Sequence, residues 1–343
     1  MLIPFNKTST DEKEANAVRK VLKSGWITSG PKVKEFEEQF AKYVGAKYAI
    51  AVNSCTTGLI LALKCSMYSH SEEIPTTVIV PSLTFAATAE AIVNAGMSPY
   101  FVEGKELHKI DPEEYDGAVT VHLYGEDRRF RLPGKFIVED SAHRVEKDQM
   151  KDNPNIVVFS FYATKNMTTG EGGMVCTNNK YTAEKIRLMI FHGIRQNAWT
   201  RTKNKTFQYG AEVVGWKGNM SDIQAAIGLE QLKKLPKFAK RRNEIVAQYN
   251  QEFAQENTGN HLYPLKVKNQ KYFLEKMKKD GIQCSVHYYP LHLMPAYKDY
   301  LQVDLSVTEE WSKTHVSIPL YPSLTDRQVN YIIKCAKKYW MNI

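Results

Sequence analysis

The segment IVVFSFYATKNMTTGEGGMVCTN, residues 156–178, decides which fold and which chemistry the chain can have. It begins and ends with an apolar, β-branched run, and a polar, glycine-rich turn between the runs carries one lysine, Lys165. Between buried strands, apolar walls would disfavour an ammonium and lower the pKa of Lys165, which would supply the free amine that condensation with an aldehyde needs. On residue type alone, an exposed lysine in a hairpin is the more common case.

Size and charge limit the possible classes of protein. The chain has 343 residues, of which 43% are hydrophobic, enough for one large domain, predicted at 1–233, and a smaller one at 234–343. The net charge is +9, but the basic residues are dispersed, and no predicted helix carries a basic stripe interleaved with aromatics. We therefore expect no nucleic-acid partner and a field that attracts small anions.

Targeting and metal signals are weak in this sequence. The first residues, MLIPFNKTSTDEKE, lack the basic and apolar regions of a signal peptide, and no run approaches the roughly 20 apolar residues of a membrane span. The five cysteines form no C-x-x-C pair. We expect a soluble, cytoplasmic protein without a membrane partner, a disulfide framework or a metal site.

Strand and helix patterns alternate through the first half of the chain, which predicts a largely parallel sheet flanked by helices, an α/β fold. The strand at 46–52 leads directly into a helix that begins near Thr56, and such a junction offers free N–H groups and a positive dipole end to a phosphate. A second such unit carries Phe85, either a core residue or a flat surface for a ligand ring. The strand in KFIVEDSAH ends at Asp140, which either points into the ligand crevice or caps the next turn.

Other elements follow from local signals. Ser9 or Thr10 can cap a first helix that ends before Gly25, and Pro31 begins a second helix. In the smaller domain we predict strands at 261–267 and 283–290 and a closing amphipathic helix at 324–340. We predict a polar loop at 194–214.

The connection 126–134 is short for a crossover between parallel strands, which normally needs a dozen or more residues. We therefore predict a trimmed large domain whose sheet face is either partly uncovered or covered by an irregular loop at 128–132.

The order S-F-x-x-x-K-x-x-T-x-G-E-G-G, from Ser160 to Gly173, resembles the DegT/DnrJ/EryC1/StrS family of pyridoxal-phosphate-dependent sugar aminotransferases. The resemblance runs from Ile3 to about Trp340. It implies the aspartate aminotransferase-like fold (fold type I), with a mostly parallel seven-stranded sheet in the large domain and a smaller α+β C-terminal domain. It also implies that Lys165 forms the Schiff base with pyridoxal 5′-phosphate and that pyridoxamine 5′-phosphate is the second form of the cofactor.

The resemblance assigns further cofactor contacts residue by residue. Ser160, Thr56 and Thr57 fall on positions that contact the phosphate, although Cys55 stands where the family usually has glycine. Phe85 falls on the residue stacked on the ring, and Asp140 on the partner of the pyridinium nitrogen. His143 falls on the residue beside the ring hydroxyl.

Four more residues are assigned to the mouth of the site or to a partner subunit. Asn219, in G-W-K-G-N, matches an asparagine that binds the cofactor phosphate of the neighbouring subunit, which implies a homodimer with shared active sites. Spacing alone fits helix capping by Asn219 or Ser221 equally well. Thr28, Lys217 and His292 are candidate substrate contacts, although Thr28 could equally lie in an ordinary helix connection.

The reaction implied is transfer of an amino group from L-glutamate, which becomes 2-oxoglutarate, to a nucleotide-linked 4-keto-6-deoxyhexose. The family's sugar dehydratases have histidine in place of Lys165, so the lysine favours transamination. The segments HGIRQNAW and GWKGN resemble the C4-aminating subgroup more than the C3-aminating one. The alternatives are a C3-aminating enzyme, a pyridoxal-phosphate enzyme that acts on amino acids, such as a lyase, and a non-enzymatic regulator.

Overall fold

The computed structural model describes residues 2–67, 76–195, 199, 202–203 and 210–341, so most of the predicted loop 194–214 lies outside the described residues. The helices are α1 (Glu12–Ser24), α2 (Pro31–Val44), α3 (Cys55–Met67), α4 (Ala86–Asn94), α5 (Lys180–Met189), α6 (Asp222–Phe253), α7 (Gln270–Lys279), α8 (Ser306–Thr314) and α9 (Asp326–Tyr339). The strands are β1 (Tyr48–Val52), β2 (Thr77–Pro81), β3 (Ser98–Val102), β4 (Gly117–Val121), β5 (Phe136–Ser141), β6 (Ile156–Ser160), β7 (Gly173–Thr177), β8 (Tyr263–Lys266) and β9 (His315–Ile318).

Seven strands form one sheet in the order β1-β7-β6-β5-β4-β2-β3. Strand β7 runs antiparallel to both of its neighbours, and all other neighbouring pairs are parallel. The predicted α/β architecture with a mostly parallel seven-stranded sheet is therefore confirmed.

Side chains alternate between two apolar layers on the sheet faces. On β6, Val158 packs with helices α3, α4 and α5, whereas Val157 and Phe159 pack with α2 and the first half of α6. Burying a side chain of this size contributes about 1.5–3 kcal/mol relative to leaving it exposed. Because both faces are covered, a central strand such as β6 is apolar on both sides from Ile156 to Phe159.

Helix α6 contributes to two separate cores. Its first half packs under the large sheet through Leu229 and Leu232, and its second half packs through Tyr249 and Phe253 against β8, β9, α7 and α9. Ile3 belongs to the second core, since its main chain pairs with Gly281 and Gln283. The division at 233/234 falls inside this continuous helix and stays a prediction.

Several local predictions need correction. Asp11, not Ser9 or Thr10, caps α1, because its carboxylate accepts the N–H of Lys13 while Glu14 completes a capping box. The segment 283–290 is not a strand: only Ser285 pairs there, through a bridge to Ser317. The partner of β8 is instead β9, which the sequence pattern did not reveal.

The short connection between the parallel strands β4 and β5 is an irregular loop, which confirms the second of the two predicted forms. Phe130 and Leu132 from this loop pack against an apolar cluster at the sheet edge that includes Ile79, Val102 and Ala118. Two apolar side chains thus cover the face where a crossover helix would otherwise lie.

A buried polar network holds this loop. The ring Nδ1 of His122 accepts the N–H of Arg128 at 3.0 Å, so the neutral ring carries its hydrogen on Nε2 and donates it to Glu139 at 2.9 Å. Asn153 and Asn155 donate to the other oxygen of Glu139. Burial alone would raise the pKa of Glu139, but His122 and the two amides hold it below its ordinary value of 4.5.

We predict that Glu139→Gln lowers the free energy of unfolding at neutral pH by about 1–3 kcal/mol. The new side-chain NH₂ group would replace one carboxylate oxygen and would face groups that are themselves hydrogen-bond donors. A group with a lowered folded-state pKa stabilises the protein above the unfolded value and loses that effect as the pH falls through the folded value. The gap between wild type and variant should therefore be full at neutral pH and shrink as the pH falls below 4.5.

Urea denaturation at neutral and acidic pH measures this gap. The exposed Glu113→Gln is the control and should change stability by less than about 0.5 kcal/mol. A gap of the same size at both pH values would contradict the role of a charged Glu139.

Candidate active site

One cavity of about 580 Å³ lies at the carboxyl ends of the parallel strands. Asp140 pairs with Val158 in the register of β5 and β6, so Asp140 and Ser160 point to the same face, toward α3. Ligands of open α/β sheets bind at this edge. Of the predicted site residues, the structure brings Thr56, Phe85, Asp140, His143, Ser160 and Lys165 together around this cavity.

The N-terminus of α3 closes one end of the cavity. Ser54 caps the helix by accepting the N–H of Thr57, and within the described residues the N–H groups of Cys55 and Thr56 have no main-chain acceptor. Gly173, the first residue of β7, lets the start of α3 lie close to that strand, because a Cβ at this position would lie 2.8 Å from the nitrogen of Cys55. Free N–H groups at a helix N-terminus, with the Ser160 hydroxyl nearby, form a site suited to a phosphate.

Lys165 lies in the turn after β6, partly buried in the cavity wall. Its N–H donates to the carbonyl of Tyr162 at 3.0 Å, which fixes the turn. Burial lowers the pKa of the Lys165 ammonium below its ordinary 10.5, and the negative charge of Asp140 offsets part of this effect. The environment therefore differs from that of an exposed hairpin lysine.

Asp140 lies in the same cavity, with both carboxylate oxygens held. One accepts the hydroxyl of Thr88 at 2.8 Å, and the other accepts the N–H of Ala142 at 3.0 Å. Burial raises the pKa of Asp140 above its ordinary 3.8, against the lowering effect of these donors and of Lys165. Asp140 thus caps the following turn and also faces the crevice, so both sequence interpretations describe part of its position.

The tautomer of His143 follows from its neighbours. The N–H of Tyr124 donates to Nδ1 of His143 at 3.3 Å, so a neutral ring carries its hydrogen on Nε2. Nε2 then donates to the hydroxyl of Tyr288 at 3.1 Å, which leaves the phenol hydrogen available to a ligand. Burial, together with the charge of Lys165, holds the pKa of His143 well below 6.5, so the ring is neutral at physiological pH.

Phe85 is 60% exposed and lines the cavity, which excludes the core position that was its alternative. Its ring centre lies 5.8 Å from that of Tyr288. Two aromatic side chains from different parts of the chain thus form an apolar wall opposite the polar ones.

The other predicted residues lie elsewhere in this chain. Thr57 is buried and bonds to Ser54 behind the helix end, and Thr28 is exposed, with its carbonyl accepting the N–H of Asp222. His292 is packed between Ser82, 2.7 Å from its Nδ1, and Glu309. Within this chain, His292 therefore contacts Ser82 and Glu309 and does not line the Lys165 cavity.

Asn219 and Lys217 are not among the residues that line the Lys165 cavity. Asn219 lines a second cavity, of about 440 Å³, formed mainly by α2, β1 and the segment 187–195. The ammonium of Lys217 donates to the Asn219 side chain at 2.6 Å and lies 4.8 Å from the ring centre of Phe191. The residue that caps α6 is Ser221, so the capping alternative for Asn219 is wrong.

Four site residues were missed by the sequence reasoning. Tyr288 and His287 line the cavity, and the Tyr124 hydroxyl donates to the carbonyl of His287. The ring of His261 is tilted against that of His143, with the ring centres 4.3 Å apart. His287 and Tyr288 lie in H-Y-Y-P-L-H, residues 287–292, the motif from which only His292 was assigned. That motif was the available signal for these two residues, whereas Tyr124 and His261 carry no local pattern.

Comparison with known proteins gives the family. The model of the DegT/DnrJ/EryC1/StrS aminotransferase family matches residues 8–337. The chain belongs to this family. The spore coat polysaccharide biosynthesis protein SpsC of Bacillus subtilis is 36% identical, with 98% of this chain and 96% of SpsC covered.

Solved structures agree with this assignment. The putative sugar aminotransferase Spr1654 of Streptococcus pneumoniae, in its pyridoxamine-phosphate (PMP) form, has a TM-score of 0.84 and 26% identity, with 98% of each chain covered. Its pyridoxal-phosphate (PLP) form gives 0.82 and 25%, with 98% and 99% covered. PseC of Helicobacter pylori, an aminotransferase involved in pseudoaminic acid biosynthesis, gives 0.84 and 26%, with 98% of each covered.

The family member described here is thus a pyridoxal-phosphate-dependent aminotransferase, and the predictions of family, enzyme class, fold type and cofactor are confirmed. The cavity fits this cofactor: it offers an amine, an anion site at the end of α3, a buried carboxylate and an apolar wall. Among the described residues no helix has both the length and the apolar character needed to cross a bilayer.

We predict that Tyr288→Phe lowers kcat about tenfold, because the change removes the hydroxyl that Nε2 of His143 contacts and that faces the cavity. Steady-state transamination kinetics measure the effect. The neighbouring Tyr289→Phe is the control, since Tyr289 is 57% exposed and does not line the cavity. Equal kinetics for wild type and Tyr288→Phe would show that the phenol is only part of the wall.

Proposed function

We propose that this enzyme transfers the amino group of L-glutamate to the keto carbon of a nucleotide-linked 4-keto-6-deoxyhexose, preferentially at C4, through Lys165. The observation that carries this proposal is the placement of the Lys165 amine and the Asp140 carboxylate in one cavity at the carboxyl edge of the sheet. The relatives support a sugar substrate, because SpsC is named as a spore coat polysaccharide biosynthesis protein and Spr1654 as a putative sugar aminotransferase.

The charge of the chain supports anionic ligands. With a net charge of +9, the protein attracts a cofactor phosphate, a nucleotide diphosphate and a dicarboxylic amino acid. The preference for C4 rests on the segments HGIRQNAW and GWKGN. A C3-aminating enzyme needs its keto group at C3, so assays with a 4-keto and a 3-keto sugar nucleotide separate the two.

Pyridoxal phosphate, when bound, supplies an aldehyde that carries the amino group and a ring that withdraws electrons from the reacting carbon. In our proposal, the N–H groups of Cys55 and Thr56 and the hydroxyl of Ser160 bind its phosphate. The carboxylate of Asp140 accepts a hydrogen bond from the ring nitrogen, and Phe85 covers one face of the ring. These assignments combine the family motif with the cavity described above.

Lys165 moves the proton. Because burial lowers its pKa, a larger fraction of Lys165 is neutral at physiological pH than in an exposed lysine. Its Nζ can then remove the proton from Cα of glutamate and return a proton when the sugar carbon receives the amine. His143, neutral and with a fixed tautomer, and Tyr288 provide hydrogen-bond donors near these atoms.

The five described cysteines are free thiols, which suits the reducing cytoplasm, and we propose this compartment for the enzyme.

We predict that Lys165→Ala lowers transamination at least about 1,000-fold, because both proton transfers lose their base. The assay incubates protein and glutamate with either a 4-keto-6-deoxyhexose nucleotide or its 3-keto isomer, and it measures 2-oxoglutarate and, by NMR, the amino sugar. Lys180→Ala is the control, because its side chain is 74% exposed.

Turnover of the 3-keto sugar but not of the 4-keto sugar would replace the C4 proposal by its alternative. Amino-acid turnover without any keto sugar would favour a lyase. Full activity of the Lys165→Ala protein would contradict the proposed mechanism.

We also propose that the enzyme is a homodimer in which Asn219 binds the cofactor phosphate of the partner subunit. The supporting observation is that Asn219 does not line the Lys165 cavity of its own chain but a separate one. A polar side chain that lines a separate cavity can serve an active site across a symmetric interface. Lys217 and Thr28, which also lie outside the Lys165 cavity, are proposed as substrate contacts near this interface.

Hybrid dimers test this arrangement. Mixing Lys165→Ala subunits with Asn219→Ala subunits creates one intact site per hybrid if Asn219 acts across the interface. We expect recovery of about one quarter of wild-type activity after random reassociation of equal amounts. If Asn219 acted within its own subunit, every site in the hybrid would be defective and the mixture would stay inactive.

A further inference from the structure

Arg242, on the second half of α6, is a buried arginine whose guanidinium has no carboxylate partner among the residues that the structure describes. It is only 3% exposed. Burial lowers its pKa to about 10, so the side chain keeps its charge at physiological pH. A buried cation without a carboxylate is costly, so its remaining hydrogen bonds indicate why it is there.

Those hydrogen bonds go to the turn that carries the reactive lysine. One terminal nitrogen of Arg242 donates to the carbonyl of Asn166 at 3.3 Å, and the other lies 3.5 Å from the carbonyl of Lys165. The same turn is held from the other side by the bond from the Lys165 N–H to Tyr162. Arg242 therefore binds the main chain of the turn that carries the Lys165 side chain.

A small cavity of about 10 Å³ lies beside this contact, and its lining includes Ser9, Lys165, Asn166 and Arg242. Three buried polar atoms of these residues have no hydrogen-bond partner: Oγ of Ser9, Oδ1 of Asn166 and Nε of Arg242. The volume is that of about one water molecule. A water could donate to Oδ1 of Asn166 and accept from Nε of Arg242 and from the Ser9 hydroxyl.

We propose that Arg242 is a positioning residue for Lys165, and that it acts together with one water molecule bound between Ser9, Asn166 and Arg242. This inference rests on the proposed role of Lys165 as the reactive amine. The proposed contact joins three distant parts of the chain: the N-terminal segment, the turn after β6 and helix α6, which contributes to both cores. The position of the amine then depends on how α6 lies against the sheet.

The first test measures how fast the cofactor-free protein reacts with pyridoxal phosphate, followed by the absorbance band at about 400–430 nm that the linked cofactor gives. We expect Arg242→Met to slow this reaction about 10- to 100-fold, since small displacements of a reacting group cost this much. Arg242→Lys should slow it less, about three- to tenfold, because one ammonium keeps the charge but cannot bind both carbonyls in the fork geometry.

Arg241→Met is the matched control, because Arg241 is the neighbour on α6 and pairs instead with Asp326 and Glu244. It should react within about twofold of wild type. In the full assay, the Arg242 variants should lower kcat and leave KM for glutamate unchanged. A purely structural role would lower the stability of the fold without this split.

Either folded Arg242 variant with a wild-type rate of cofactor attachment would overturn the positioning role. Should Arg242→Met fail to fold, Arg242→Lys decides the question by the same rate. The outcome is separable from the proposed function: a dispensable Lys165 refutes that function, whereas unchanged Arg242 variants in an enzyme that requires Lys165 refute only this inference.

The second test is a crystal structure at a resolution that shows ordered waters. We expect one density peak within hydrogen-bond distance of all three polar atoms and no anomalous signal there after a bromide soak. A bromide peak would contradict the water and indicate a halide site. Direct hydrogen bonds between the three residues, without any density between them, would also contradict a bound water.

Discussion

The structure depends on one electrostatic arrangement: a lysine amine and an aspartate carboxylate, both withdrawn from solvent, in a single cavity at the carboxyl edge of the sheet. Burial lowers the pKa of Lys165 and raises that of Asp140, while the charge of each partly opposes the shift of the other. Each group is fixed by main-chain contacts, Lys165 through the turn from Tyr162 and Asp140 through the N–H of Ala142. The reactivity of the amine therefore follows from the fold rather than from the residue type.

The sheet supplies this arrangement because adjacent parallel strands end at the same edge. Asp140 is the last residue but one of β5, Ser160 ends β6, and the register of the two strands directs both side chains toward α3. The helix end then adds its free N–H groups, and Gly173 leaves room for them. On the opposite face, the pair of Glu139 and His122 holds the shortened connection 126–134, so the same strand β5 serves the site on one face and the loop on the other.

Local signals in the sequence were sufficient for the sheet and for the residues that lie at strand ends. Asp140, Ser160 and Lys165 follow or end apolar runs, and Thr56 and Phe85 lie at strand-to-helix junctions, so their meeting at one edge could be predicted. Competition between local caps was not predictable: Asp11 was preferred over Ser9 and Thr10 because Glu14 completes a capping box with it.

Long-range partners could not be predicted. Tyr124 and His261 reach the site from segments far apart in the chain, and no local periodicity links them to Lys165. The stretch 283–290 has the composition of a strand, but only Ser285 finds a strand partner, and His287 and Tyr288 line the cavity instead. His292 was assigned from its motif, whereas its position between Ser82 and Glu309 is set by tertiary packing.

The most direct measurement of the central claim is to load the protein with pyridoxal phosphate, reduce it with borohydride, and map the modified peptide by mass spectrometry. Our account predicts that the cofactor is attached to the peptide that contains Lys165 and to no other lysine. Attachment to a different lysine, such as Lys217, or the absence of any attachment in a protein that still transfers amino groups, would contradict it.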